Sequence, residues 1–357
     1  MKILADASLP GLLHAFPKPF KLSLYQNIPE LVSRLAGQEI LLCRASLKVN
    51  QALLGQHSQT LRFIATASSG SDHIDEDYLK ANAIKLIDAK GSNARAVADY
   101  VIATLAYLQT YKNISCVKAG VIGLGEVGLK VAKRLKAIGM NVLYNDPLKA
   151  ESDINFLNSP IEDLIDCDLI CLHPSLHDNP PFPSRNLIDK ILLNRLKPGA
   201  VMINASRGDI VNEDLILNQN NKLIYCTDVY SNEPSINKKI VEWATICTPH
   251  IAGHSVEAKF TAVAMISETL HRHLNLKPPA REFPLIKEPS VSLSSGWQDL
   301  VLSLYNPFTE TQLLKSATNL ELSFKSLRLA HQNRHDFCNY SIQSSSKQTK
   351  KILGVED

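Results

Sequence analysis

No stretch of this chain stays apolar for the roughly 20 residues that a membrane helix needs, and it opens on no secretory leader. No membrane association is expected. Blocks of like charge are also missing: 38 lysines and arginines stand against 35 aspartates and glutamates, and the net charge is only +3. Without a basic stripe there is no electrostatic footprint for nucleic acid or for an anionic lipid surface. The seven cysteines include no Cys-x-x-Cys pair. Cys167 and Cys171 flank a strand-like run, where buried thiols are a simpler reading than a metal site. No metal is expected, and an odd number of scattered thiols fits a reduced, cytoplasmic setting. Internal repeats are absent too.

What is present is length and core. At 357 residues, 45% of them hydrophobic, the chain should form two or three domains. Its organising stretch is Ala119-Gly120-Val121-Ile122-Gly123-Leu124-Gly125-Glu126-Val127-Gly128. A short apolar run reaches Ile122, a Gly-x-Gly-x-x-Gly turn follows, and 129–138 reads as a helix. Gly123 permits a tight turn, Gly125 lets a pyrophosphate approach the backbone, and Gly128 lets helix and strand pack closely. The helix N-terminus, with Glu126 and Val127, offers free N–H groups to the phosphates. A glycine turn alone is a weak signal. A second strand at 141–145 strengthens it, because it ends at Asp146, eighteen residues after Gly128. A carboxylate there accepts the ribose hydroxyls of NAD and repels the 2′-phosphate of NADP.

Residues 1–92 read as an α/β module of their own, with strands at 2–5, 39–43, 62–66 and 84–87 and helices at 29–36 and 75–81, but with no glycine fingerprint. A long helix from 94 to 107, preceded by the capping types Ser92 and Asn93, leads into a second module at 93–254. There strands at 117–122, 141–145, 168–173, 200–204, 223–227 and 245–247 alternate with helices at 161–165, 186–193 and 212–218. The pattern predicts a doubly wound parallel sheet of the Rossmann type. A helix over 255–274 returns the chain to the first module (255–280 in all). Residues 281–357 carry mixed strand and helix signals and a polar stretch at 341–350, and read as a small appended α+β domain.

Three motifs follow the later strands: Asn204-Ala205-Ser206-Arg207-Gly208, Asp228-Val229-Tyr230-Ser231-Asn232-Glu233-Pro234, and Thr248-Pro249-His250-Ile251-Ala252-Gly253. Individually each has a bland reading as surface charge or a structural histidine. All three, however, sit past strand ends, on the face where a bound nicotinamide must lie.

In these motifs the sequence resembles the D-isomer-specific 2-hydroxyacid dehydrogenases, whose active-site Arg, Glu and His correspond to Arg207, Glu233 and His250. The resemblance implies that Arg207 binds the substrate carboxylate through its planar fork. His250 then exchanges the hydroxyl proton, and Glu233 orients the imidazole and favours its charged form. NAD is the implied cofactor, contacted also by Pro174, Ala205, Asp228 and Gly253, although Asp228 reads equally as the cap of a turn.

Within the family, Arg44-Ala45-Ser46-Leu47-Lys48-Val49-Asn50, Ala65-Thr66-Ala67-Ser68-Ser69-Gly70-Ser71-Asp72-His73, His250-Ile251-Ala252-Gly253-His254 and the tail at 305–317 and 324–342 narrow the likeness. They are similar to members that oxidise 4-phospho-D-erythronate to 2-oxo-3-hydroxy-4-phosphobutanoate on the way to pyridoxal phosphate, and that dimerise through their C-terminal domain. That likeness implies a homodimer, with Arg44, Ala45, Ser68 and His254 toward the substrate. Alternatives are a member acting on 3-phosphoglycerate or another D-2-hydroxy acid and, in a different class, an NAD-sensing corepressor of the same fold. Departures from the pattern cluster at the substrate residues: Ala45 and Leu47 replace hydroxyl residues, Ser68 replaces Thr, and His254 replaces Tyr. Pro174 and Ser206 replace a Thr and a Cys nearer the cofactor. Arg44 with Lys48 reads either as a phosphate site or as an ordinary surface pair. His73 and His173, at strand ends, read as structural hydrogen-bonding residues.

Overall fold

The computed structural model describes residues 1–219, 222–283, 296–331, 333–340, 342 and 346–355. The chain forms two compact units, one of Met1–Asn93 with Val256–Leu285, the other of Ala94–Ser255 with Ile286–Asp357.

The first unit is built on five parallel strands, β1 (Lys2–Asp6), β2 (Lys21–Tyr25), β3 (Ile40–Cys43), β4 (Phe63–Thr66) and β5 (Lys85–Ile87), in the order β2-β1-β3-β4-β5. Every residue of β3 and β4 is buried, as parallel strands covered on both faces require. The returning helix Val256–His273 sets Ala262, Val263, Ile266 and Leu270 against Ile3, Ala5, Ile40, Leu42 and Phe63. Strand β2 is absent from the sequence reading. It is an edge strand, KLSLY, of which only Tyr25 is buried, so its apolar signal is diluted by Lys21 and Ser23. Strand order reverses between β1 and β3, which leaves a crevice at their carboxyl ends, beside Asp6 and Arg44.

The second unit carries six parallel strands, β6 (Lys118–Ile122), β7 (Asn141–Asn145), β8 (Leu169–Leu172), β9 (Val201–Asn204), β10 (Ile224–Thr227) and β11 (Ile246–Cys247), in the order β11-β10-β9-β8-β6-β7. Alternate residues feed two cores. Val121, Cys171, Ile203 and Cys226 pack with the 19-residue helix Ala94–Lys112 on one face, while Ile122, Leu172, Met202 and Tyr225 fill the other. The helix expected at 186–193 begins only at Lys190, because Ile188 bridges to Val211 and the Asp189 carboxylate accepts the Leu192 N–H at 2.8 Å. The expected helix at 161–165 is a 3-10 turn, Ile161–Asp166. Two short helices, Pro147–Ser152 and Lys238–Trp243, escaped the reading although Asp146 and Asn237 cap them.

The described part of the tail is helical, with Trp297–Leu304, Phe308–Lys315, Leu320–Ala330 and Lys347–Ile352 joined by the 3-10 turn Phe337–Asn339. The mixed strand and helix signals therefore do not resolve into an α+β body among the described residues. The tail instead covers the nucleotide unit. Leu300, Val301, Tyr305, Phe337, Ile352 and Leu353 join the core beside Ala94–Lys112, and Leu314 and Phe324 join the opposite one. Arg281 pairs with Glu268 of the first unit at 2.6 Å, so the residues just after 280 belong there. Of the polar stretch 341–350, residues 341 and 343–345 lie outside the described residues. Among the described residues, no helix is long and apolar enough to cross a membrane, and no group of three His, Cys, Asp or Glu could hold a metal ion. All seven cysteines are free, six of them buried.

Candidate active site

The glycine turn lies at the switch point of the second sheet, between β6 and β8. Gly123 has φ +83°, and a Cβ there would lie 2.6 Å from the Pro174 nitrogen; on Gly128 it would lie 1.9 Å from the Gly123 oxygen. Neither position tolerates a side chain. A Cβ on Gly125 would meet no protein atom within 4 Å, and Gly125 caps the helix Glu126–Ile138 with no side chain bonded to its first N–H groups. Glu126 and Val127 begin that helix, so uncapped amide donors face a backbone bare of side chains, which is the chemistry an anionic pyrophosphate needs.

Asp146 ends β7. Its Oδ2 accepts the Leu124 N–H at 2.7 Å, and its Oδ1 accepts the Lys149 N–H at 3.0 Å. Each oxygen keeps a lone pair for a ribose hydroxyl. Lys149, which sequence reasoning missed, donates to the Leu124 carbonyl at 3.1 Å. His173 and Pro174 follow β8 beside Gly123. The structural hydrogen bonding expected of His173 is not found: both ring nitrogens are buried without a partner among the described residues, and burial pushes its pKa down to about 3. Orphaned polar atoms beside an open, donor-rich turn fit a polar ligand, and the residues present fit NAD.

Arg207, Asp228 and His250 follow three adjacent strands, paired so that Asn204 lies opposite Thr227 and Thr227 opposite Cys247. Ala205 is half-buried at the end of β9. Gly208 brings the Arg207 turn hard against the next motif, since a Cβ there would sit 2.0 Å from the Tyr230 carbonyl carbon. The Arg207 carbonyl accepts from Asn204 at 2.9 Å, and its Nη1 donates to the Ser206 carbonyl at 2.8 Å. Glu233 Oε2 lies 2.6 Å from His250 Nδ1, and its Oε1 accepts the Tyr230 N–H at 2.9 Å. Burial alone would raise the Glu233 pKa, but the charge and hydrogen bond of His250, with the Tyr230 N–H and the Arg328 charge, lower it overall. His250 holds the left-handed φ of 56° and donates its N–H to the Asp228 carbonyl at 2.8 Å. Nδ1 is engaged by Glu233, whose carboxylate fixes the ring.

Asp228 is 1% exposed. Its carboxylate accepts the N–H groups of Ile251 and Ala252 at 2.8 Å each and the Thr248 hydroxyl at 2.7 Å, so it organises the loop that carries His250. Gly253 continues that loop, and the His254 N–H closes it on the Ile251 carbonyl at 2.9 Å. The His254 ring lies 6.3 Å from that of His331.

The other substrate candidates belong to the first unit. Arg44 Nε donates to Asp6 Oδ2 at 2.8 Å, while Ala45 and Lys48 are exposed and Ser68 Oγ accepts weakly from the Gly70 N–H at 3.4 Å. His73 makes the structural bond read for it, to the Thr66 hydroxyl at 3.0 Å. Burial and then the Arg44 charge lower the pKa of Lys259, which marks it as the cation neighbouring Arg44. Nothing in a surface-like helical lysine reveals this from sequence.

The profile "D-isomer specific 2-hydroxyacid dehydrogenase, NAD binding domain" matches residues 99–252. Erythronate-4-phosphate dehydrogenase of Legionella pneumophila is 50% identical over 355 residues, 99% of this chain and 100% of that protein. The protein of that name from Coxiella burnetii is 36% identical over 323 residues, 88% of this chain and 87% of that one. NAD-bound 3-phosphoglycerate dehydrogenase of Entamoeba histolytica shares the fold, with a TM-score of 0.65 at 22% identity, over 80% of this chain and 99% of that one. On these grounds the chain belongs to the D-isomer-specific 2-hydroxyacid dehydrogenase family, within its erythronate-4-phosphate dehydrogenase group, and is an NAD-dependent dehydrogenase.

Proposed function

We propose that the chain oxidises 4-phospho-D-erythronate to 2-oxo-3-hydroxy-4-phosphobutanoate with NAD, a step of pyridoxal phosphate biosynthesis. The observation that carries this reading is the Glu233–His250 contact of 2.6 Å, in a chain similar from end to end to erythronate-4-phosphate dehydrogenases. NAD, when bound, accepts the hydride from C2. The rest falls to the chain's own residues. His250 takes the hydroxyl proton, and Glu233 holds its ring and favours the imidazolium that results. Arg207 holds the carboxylate and polarises the C2 oxygen, while Asp228 keeps the His250 loop in place.

On the first unit, we assign the substrate phosphate to Arg44 and Lys259, with Ser68 and the backbone of Ala45 completing the contact. Arg44 is shared with Asp6 and, at 42% side-chain exposure, retains donors for a phosphate. A homodimer formed through the tail is supported by the exposure of Leu313, Leu322 and Leu329 on its helices. A cytoplasmic location is supported by seven free thiols.

The test is NADH absorbance with a substrate panel. Turnover of 4-phospho-D-erythronate well above that of 3-phosphoglycerate and unphosphorylated D-2-hydroxy acids is expected. Equal or greater turnover of 3-phosphoglycerate would assign the alternative substrate. No turnover of any acid, with NADH bound and a peptide captured, would assign the corepressor class.

A further inference from the structure

The loop that carries His250 is gripped from two sides. Asp228 takes its N–H groups at Ile251 and Ala252. From the tail, Arg334 Nη2 donates to the Ala252 carbonyl and, at 3.1 Å, to the Ala96 carbonyl of the helix Ala94–Lys112. Arg334 is 7% exposed, and its guanidinium lies over the Tyr305 ring, 4.8 Å from the centroid. The next turn of chain fixes its place: the Phe337 N–H donates to Asp99 at 2.9 Å, and Asp99 pairs with the buried Arg134. The same tail braces Glu233. Phe324 meets Tyr230 edge-on with ring centroids 6.1 Å apart, and Glu321 accepts from Ser235 at 2.8 Å.

We infer that Arg334 is a positioning residue for the proton-transferring histidine, acting through the Ala252 carbonyl. The inference rests on the role proposed for His250. With φ at 56°, His250 occupies a conformation that a residue bearing a side chain adopts only when its surroundings impose it. Asp228 alone would pin the N–H of Ala252 and leave the following peptide free to turn. Arg334 pins the carbonyl of the same residue, so both peptide planes are fixed and the ring of His250 is delivered in one orientation. A guanidinium joins two carbonyls from two elements in a single plane, and an ammonium reproduces this only in part. The tail therefore serves the chemistry as well as the assembly.

The experiment uses the full-length enzyme with Arg334→Met and Arg334→Lys. Arg334→Met should bind NADH within about twofold of wild type, as read by fluorescence, while kcat falls roughly 10- to 100-fold, the scale of a small misplacement of a reacting group. The isotope effect with C2-deuterated substrate should rise, because the chemical step becomes slower than product release, and Arg334→Lys should recover part of kcat. A soluble Arg334→Met enzyme with unchanged kcat and isotope effect would overturn the inference. So would NADH affinity and kcat falling in step, which is the mark of general loosening. Where Arg334→Met is insoluble, Arg334→Lys decides, since wild-type kcat and isotope effect there would show that the two-carbonyl bridge is not needed. The comparison is made on whichever acid the substrate panel shows to be turned over. Failure on 4-phospho-D-erythronate therefore bears on the substrate assignment alone.

Discussion

Burial by itself would raise the Glu233 pKa, but His250, the Tyr230 N–H and the Arg328 charge together outweigh desolvation and lower it. The contact is mutual: the carboxylate 2.6 Å from Nδ1 fixes the orientation of the imidazole. Oxidation needs a group free to accept the hydroxyl proton, so its rate should rise with pH. Glu233→Gln keeps the shape and removes the negative charge beside the ring of His250. The rising limb of the oxidation rate should then move to lower pH, with a lower plateau. The pH dependence at saturating substrate, wild type against Glu233→Gln, checks this; an unchanged limb would mean that another group carries the proton. Asp146 makes a parallel case for the cofactor. Its oxygens are committed to the Leu124 and Lys149 N–H groups, which aim the carboxylate beside the glycine turn. Asp146→Ala should weaken NAD roughly tenfold or more by losing charge-assisted bonds and relax discrimination against NADP. Titration of both cofactors tests it, and equal wild-type affinities would sink the idea. These residues were legible in sequence because each stands just past a strand end. Lys149 and Lys259 were not, since a helical lysine looks the same whether its ammonium meets water or a buried partner.

At the scale of elements, the short fully apolar runs LICL and VMIN could be read as covered parallel strands because no polar residue interrupts them. Edge strand β2 and the late start of the helix at Lys190 were hidden, the first by its exposed face and the second by a bridge to Val211 that no local pattern announces. Close approaches are equally silent in sequence. The glycines at 123 and 128 belong to a spaced pattern, whereas Gly208 is a lone glycine whose need appears only when the Tyr230 backbone is found against it. That contact ties the Arg207 turn to the motif bearing Glu233. Gly208→Ala must push them apart, since a Cβ 2.0 Å from a backbone carbon cannot be accommodated by a rotamer change. The expected outcome is a fall in kcat/KM of roughly 100-fold with NADH binding retained, because the glycine turn at 123–128 is a separate element. Kinetics alongside NADH fluorescence decide it. Near-normal kcat/KM would show that the approach of the two turns is not what sets Arg207 in place.

For the whole molecule, the sequence suggested a tail that stands apart as a small domain, and the described residues place much of it in the cores of the nucleotide unit. The reason it misled is physical: short amphipathic helices such as Leu320–Ala330 carry leucines on both faces, and sequence alone does not say which face meets a neighbour. Here Phe324 is buried while Leu322 and Leu329 are exposed, each 63%. Large exposed leucines on a unit that already has filled cores favour a second copy as their cover. The wild-type protein should therefore sediment as a homodimer. Removal of 281–357 would take away Leu300, Val301, Tyr305, Phe337, Ile352 and Leu353 and bare the helix Ala94–Lys112, at about 2–5 kcal/mol for each large apolar side chain lost from a core. That exceeds the margin of an ordinary domain, so the truncated chain should be insoluble or, where soluble, monomeric and inactive. Because insolubility alone does not report on assembly, the wild-type measurement carries the test. A monomer at working concentration would remove the dimer, and a soluble, active truncated chain would show that the tail is neither part of the core nor a brace for His250.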